Sequence, residues 1–140
     1  MTKKDVFNFI HSKTYTVIST CGTNAQPEAA LIGFGDTEDL ELIFGTYNSS
    51  KKYKNLQENS KAAFVIGWDS SEYITVQYEG IATELFGEEL EKYVSLFHQK
   101  TPSSARYQSH PEQRYFKVRP TWIRYSDLGG EEEKIVEFTF

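Results

Sequence analysis

The strongest constraint on this chain is its rhythm of short β-rich segments joined by polar turns too brief for a crossover. Residues 14–20, 28–34 and 40–44 are rich in β-branched, aromatic and aliphatic side chains. Between them lie only residues 21–27 and 35–39, dense in Gly, Asn, Asp and Pro. Parallel neighbours need a connection of about a dozen residues or more, so these strands are expected to be antiparallel. Residues 61–67 form a near-continuous apolar run, expected to be a strand buried on both faces. Residues 73–85 alternate, with Ile74, Val76 and Tyr78 on one face and Thr75, Gln77 and Glu79 on the other. Gly80 interrupts this strand and predicts a bulge or bend. Residues 115–118, 121–128 and 134–140 read as the last strands, with an exposed turn at Gly129 and Gly130.

Three segments switch to helical spacing. Residues 5–12 place Val6, Phe9 and Ile10 together. Residues 49–59 place Tyr53 and Leu56 together, with Ser49 as the expected N-cap. Residues 88–99 repeat Leu90, Tyr93, Val94 and Phe97. Residues 100–113, with Pro102 and Pro111, are expected to be a loop. No βαβ alternation, GxGxxG or P-loop occurs. The expected fold is therefore α+β: an antiparallel β-barrel with peripheral helices, one domain over residues 1–140.

Composition narrows the function. A net charge of −5 argues against non-specific nucleic-acid binding. Cys21 is the single cysteine, so no intrachain disulfide forms, and its surroundings in sequence offer nothing to activate a thiol. His11, His98 and His110 are scattered without metal-ligand spacing, and His98, beside Phe97, reads as a packing or surface residue. The N-terminus has no signal-peptide pattern and no apolar stretch is long enough to span a membrane, so the cytoplasm is the expected compartment.

Residues 44–53 carry the chemistry. Lys51 and Lys52 fall in the first turn of the second helix, where cations oppose the helix dipole by about 0.3–1 kcal/mol each. With hydroxyls from Thr46 and Ser50, the same arrangement makes an anion site suited to a phosphate monoester. Two solvated lysines at a surface helix end are the alternative from these residues alone.

The sequence also resembles a known family. Gln26-Pro27-Glu28-Ala29-Ala30-Leu31-Ile32, residues 40–46, Ser50-Lys51-Lys52, Leu56 with Asn59, and Val76-Gln77-Tyr78-Glu79-Gly80 with Ala82 follow in the order seen in pyridoxamine-5′-phosphate-oxidase-like proteins. The chain is especially similar to the short branch known as general stress proteins, from about Val6 to Leu128. The resemblance implies an FMN-binding split β-barrel, dimeric, with the cofactor at the subunit interface. It implies that Lys51 and Lys52 grip the FMN phosphate beside Ser50, with Gly45 and Thr46 closing the third strand. Ala30, Leu31 and Ile32 would line the flavin ring through the second-strand backbone, and Thr75 and Gln77 would face the cofactor.

Several positions depart from the family pattern. Ala30 stands near a family Arg, the C-terminal Arg-x-His element has no counterpart, and Ser126 lies near a family Trp. Trp122, close by, is expected in the core. Lys100 and Ser104 match substrate-phosphate ligands only loosely. These departures argue against oxidation of pyridoxamine phosphate itself. Three functions stay open: a flavin-dependent oxidoreductase on an unknown small molecule, a non-enzymatic binder of flavin, haem or deazaflavin, and a cofactor-free dimer. The first fits the absence of an acid–base constellation, because a flavin carries its own redox chemistry.

Overall fold

The computed structural model describes residues 1–67 and 69–140. In chain order the elements are α1 (Lys3–His11), β1 (Tyr15–Cys21), β2 (Pro27–Gly33), β3 (Gly35–Asp36), β4 (Leu42–Tyr47), α2 (Lys51–Glu58), β5 (Lys61–Ile66), β6 (Ile74–Glu84), α3 (Gly87–Lys100), a 3-10 helix (Pro102–Tyr107), β7 (Gln113–Asp127) and β8 (Lys134–Thr139). All eight strands join one antiparallel sheet in the order β2-β1-β5-β6-β7-β4-β3, with β8 also on β7. The sheet curls into the expected split barrel of the α+β class.

Register explains the curl. One cross-strand row runs Ala30, Ile18, Phe64, Tyr78, Ile123, Phe138 and points inward. The adjacent row, Leu31, Val17, Val65, Gln77, Arg124, Glu137, points outward, because successive side chains alternate faces. Val6, Phe7 and Ile10 of α1 join the inner core, and α3 covers Ile43 and Tyr115 with Tyr93, Val94 and Phe97. Thr2 caps α1 in a reciprocal capping box with Asp5.

Four expectations are corrected. The run at residues 61–67 is buried on one face only: Ala62, Phe64 and Ile66 are inside, while Lys61, Ala63 and Val65 are exposed. Its apolar outer positions belong to the uncovered row. The strands expected at 115–118 and 121–128 are one continuous strand, because Pro120 sits opposite Gly80 at a bulge that leaves Thr121 without a partner on β6. The Thr121 hydroxyl then donates to the Glu79 carbonyl at 3.1 Å. A Cβ on Gly80 would lie 2.6 Å from the Arg119 carbonyl oxygen, which is why glycine stands there. Trp122 lies outside the core, half-buried on the outer face, with its partner Glu79 in the β6–β7 ladder. The loop expected over 100–113 contains a 3-10 helix, opened by Pro102.

Candidate functional site

The cleft begins at the junction of β4 and α2. Ser50, not Ser49, is the N-cap: its backbone is extended and its Oγ accepts the Tyr53 N–H at 3.1 Å. Ser49 is instead held in the preceding turn, where the Ser50 N–H donates to the Tyr47 carbonyl. The cap places Lys51 and Lys52 at the first two helical positions. Thr46, almost fully buried, shares a hydrogen bond of 2.9 Å with the Ser50 hydroxyl, and Lys52 Nζ donates to Thr46 Oγ1 at 3.5 Å. One ammonium, two hydroxyls and the open N-terminus of α2 therefore converge. No acidic residue occupies the first turn of α2.

Behind this corner, the Tyr53 hydroxyl donates to Glu84 at 2.8 Å, and that hydrogen bond to a carboxylate raises the phenol's pKa. The contact fixes the first turn of α2 against the end of β6. Gly45 leaves room for its cross-strand neighbour: a Cβ there would lie 3.0 Å from the Tyr115 ring, and the Gln113 amide, at 2.3 Å, would have to swing aside.

From this corner a cleft of about 620 Å³ opens between the ends of β2 and β4 and the segment after α3. Leu31, Ile32, Gly45, Thr46 and Lys52 line it, so five of the expected site residues share one wall. The opposite wall carries Thr101, Ser103, Ser104, Arg106 and Tyr107, most of them from the 3-10 helix. Tyr15 and Tyr47 stand at its lip. Sequence reasoning missed Arg106 and Tyr107, because an expected loop gave no direction to its side chains.

Other expected residues lie elsewhere in the single chain. Ser50 touches the cleft through Thr46. Lys51 is exposed and outside the lining. Ala30 packs toward the core and is outside the cleft lining. Thr75 and Gln77 lie on the outer sheet face, where Gln77 shares a shallow groove with Val17, Val65 and Trp122. Lys100 is committed: its ammonium pairs with buried Asp36 at 2.5 Å and rests 3.6 Å from the Phe34 ring centroid. Burial pushes its pKa down and Asp36 pushes it back up. His11 Nδ1 meets the other Asp36 oxygen at 2.7 Å.

The donor set suits a phosphate on a flat heteroaromatic ligand. Among the described residues that line the cleft, the charged side chains are Lys52 and Arg106 and none is a carboxylate, in a chain with 20 acidic and 15 basic residues. Among the described residues no group of three His, Cys, Asp or Glu side chains gathers as a metal site. Cys21 is a free thiol at the end of β1. No helix among them is long and apolar enough to cross a membrane.

The family pattern described as pyridoxamine 5′-phosphate oxidase matches residues 2–127. No curated protein matches the chain. A haem-binding protein from Mycobacterium smegmatis superposes with a TM-score of 0.84 at 17% identity, over 98% of this chain and 57% of that one. This chain thus spans little more than half the length of the Mycobacterium protein. HutZ, a haem storage protein from Vibrio cholerae, gives 0.74 at 10% identity over 96% and 92% of the two chains. A Clostridium acetobutylicum protein related to general stress protein 26 gives 0.74 at 13% identity over 100% and 97%. At such identities the likeness is one of fold.

Proposed function

Because the chain belongs to the pyridoxamine 5′-phosphate oxidase family, we propose that its cleft binds FMN and that the protein is a flavin-dependent oxidoreductase on a small molecule. The observation that carries this is the convergence of Leu31, Ile32, Gly45, Thr46 and Lys52 on one carboxylate-free cleft. Lys52, Thr46, Ser50 and the first N–H groups of α2 would hold the phosphate. The β2 backbone at Leu31 and Ile32 would meet the ring, and Lys51 would add charge from the rim. When bound, the flavin supplies hydride and electron transfer, so the chain needs to bind, orient and shield rather than donate a nucleophile.

The same reading includes a homodimer. The outer row Leu31, Val17 and Val65 is apolar, partly or fully exposed, and continuous with the cleft through Leu31. A second copy packed there would cover the row that the sequence leads one to expect buried. It would also bring Thr75 and Gln77 of one subunit toward the cofactor of the other.

A second reading, a haem binder, is favoured by the fold shared with haem-binding proteins. Among the described residues the cleft lining includes no histidine. His110, at its edge, stacks on Tyr47 with centroids 4.2 Å apart, and its Nδ1 accepts the Glu112 N–H. That bond engages Nδ1, so ligation of iron through Nε2 would require the bond to the Glu112 N–H to break and the ring proton to move to Nδ1. Parallel titrations with FMN and haemin, read by visible absorption, decide between the readings. Saturable FMN binding with NAD(P)H-driven bleaching supports the flavoenzyme; a haem Soret band that His110→Ala abolishes, without FMN binding, supports the other.

A further inference from the structure

We infer that a second groove, between α3 and the adjoining ends of β6 and β7, is a binding site for a small flat aromatic cation, an arylamine or arylamidine, with Phe86 as its apolar platform and Glu91 as its charge partner. The site stands apart from the flavin reading.

The groove encloses about 460 Å³. Leu85, Phe86, Leu90, Val94 and Tyr115 give it apolar walls, and it runs into a hollow of about 430 Å³ beside His98. Glu91, Val94 and Gln108 line both parts, which makes them one continuous surface. Tyr115 and Gln113 also line the Lys52 cleft, so the two cavities share a wall.

Phe86 is the first sign of a ligand. It occupies the N-cap of α3 and makes no side-chain cap bond. Ser, Thr, Asp and Asn are preferred there, each favoured by about 1 kcal/mol over an apolar residue. Burial does not offset that loss, because Phe86 is 68% exposed. An aromatic ring that neither caps its helix nor joins the core has a use where a flat ligand stacks on it at the mouth of a groove.

His98 is the second sign. Its Nε2 is buried without a hydrogen-bond partner among the described residues, as is the hydroxyl of Tyr115. Buried polar atoms are rarely left so, which marks both as candidates for a partner absent from the chain. Burial lowers the pKa of His98, so the ring is neutral at neutral pH and can accept a ligand N–H at one nitrogen.

Charge sets the class of ligand. Glu91 is exposed in the groove and has no cation within ion-pair distance among the described residues, whereas Glu84 and Glu89 are engaged by Arg114 and Lys117. Arg114, the one cation among the described lining residues, is committed to Glu84 and to the carbonyls of Pro111 and Gln113. An unpaired carboxylate beside a neutral imidazole suits a cation with N–H donors, the opposite sign to the Lys52 cleft.

The test is proton NMR of the purified chain, followed at its three histidine rings, with benzamidine, benzamide and benzoate as probes. Benzamidine is expected to shift the His98 signals saturably and leave those of His11 unmoved. Benzamide should bind about fivefold more weakly and benzoate more weakly still. Glu91→Lys and Phe86→Ser, both at exposed positions, should each weaken benzamidine about fivefold and leave FMN affinity unchanged. Phe86→Ser should also raise the melting midpoint, since serine is the better cap. Benzoate binding as tightly as benzamidine, no saturable shift at His98, or a Glu91→Lys variant indistinguishable from the parent would each overturn the site. So would a second copy of the chain seated on the groove, seen as a dimer that Phe86→Ser dissociates.

Discussion

At Lys52 one ammonium sits where a helix built for stability alone would carry an acid. With Thr46 buried behind it and Ser50 capping the helix, the opposing dipole energy of about 0.3–1 kcal/mol would be the cost of the proposed anion seat. Lys52→Glu should lower FMN affinity on the order of a hundredfold, from the lost charge-assisted bond and the new repulsion. Its thermal midpoint should not fall, since an acid in the first turn favours the helix; fluorescence titration and a melting curve check both. Ser50→Ala should cost about 1 kcal/mol through the lost cap and also weaken FMN, measured by urea unfolding. From its residues alone this corner was legible only as an anion seat or as two solvated lysines, and the family resemblance favoured the first; the structure brings Thr46, Ser50 and Lys52 together. The choice of Ser50 over Ser49 as cap was not, since either hydroxyl suits the motif and only the turn at Tyr47 decides.

At the scale of elements, β3, α1 and α3 are tied together by charge. Asp36 is almost wholly buried and holds Lys100 from the last turn of α3 and His11 from the end of α1. Asp36→Asn should destabilise the fold by about 3–5 kcal/mol, because it strands a buried ammonium; denaturant unfolding reads this directly. Tyr93 of α3 donates to Glu41 at 2.9 Å, and burial first, then that carboxylate, raise its pKa from 10.0 to about 12. A raised folded-state value favours the protonated phenol. The contribution is therefore full below pH 10 and lost as pH rises toward 12. Tyr93→Phe should flatten that alkaline limb of the stability curve while lowering stability near neutrality. Strands and helices were mostly legible because period 2 and period 3.6 differ plainly in residues 73–85 and 88–99. What escaped was set by distant partners. Residues 115–128 make one strand only because Gly80 absorbs the bulge at Pro120, and Lys100 is withdrawn from ligand duty by an Asp sixty-four positions earlier.

Across the whole molecule, the split barrel presents a cleft and an uncovered sheet face that meet at Leu31. The apolar run at residues 61–67 reads as doubly buried, and a single chain covers only half of it. The proposed dimer would supply the other half. Val65→Glu should convert a dimer to a monomer in light scattering and weaken FMN in the same variant, since the proposed cofactor site adjoins that face. The proposals of a flavin and of a dimer thus come from motif order, whereas the Arg106 wall was not legible, because a loop of mixed polar residues shows no direction until Pro102 winds it into a helix. The central claim is that Lys52, Thr46 and Ser50 form a phosphate seat for a flavin. Its most direct test is the ratio of riboflavin to FMN dissociation constants, measured by flavin fluorescence for the parent chain and for Lys52→Glu. A ratio well above ten that collapses toward one in the variant is the predicted result, each tenfold being about 1.4 kcal/mol of phosphate binding. Equal affinities for the two flavins in the parent chain would contradict it.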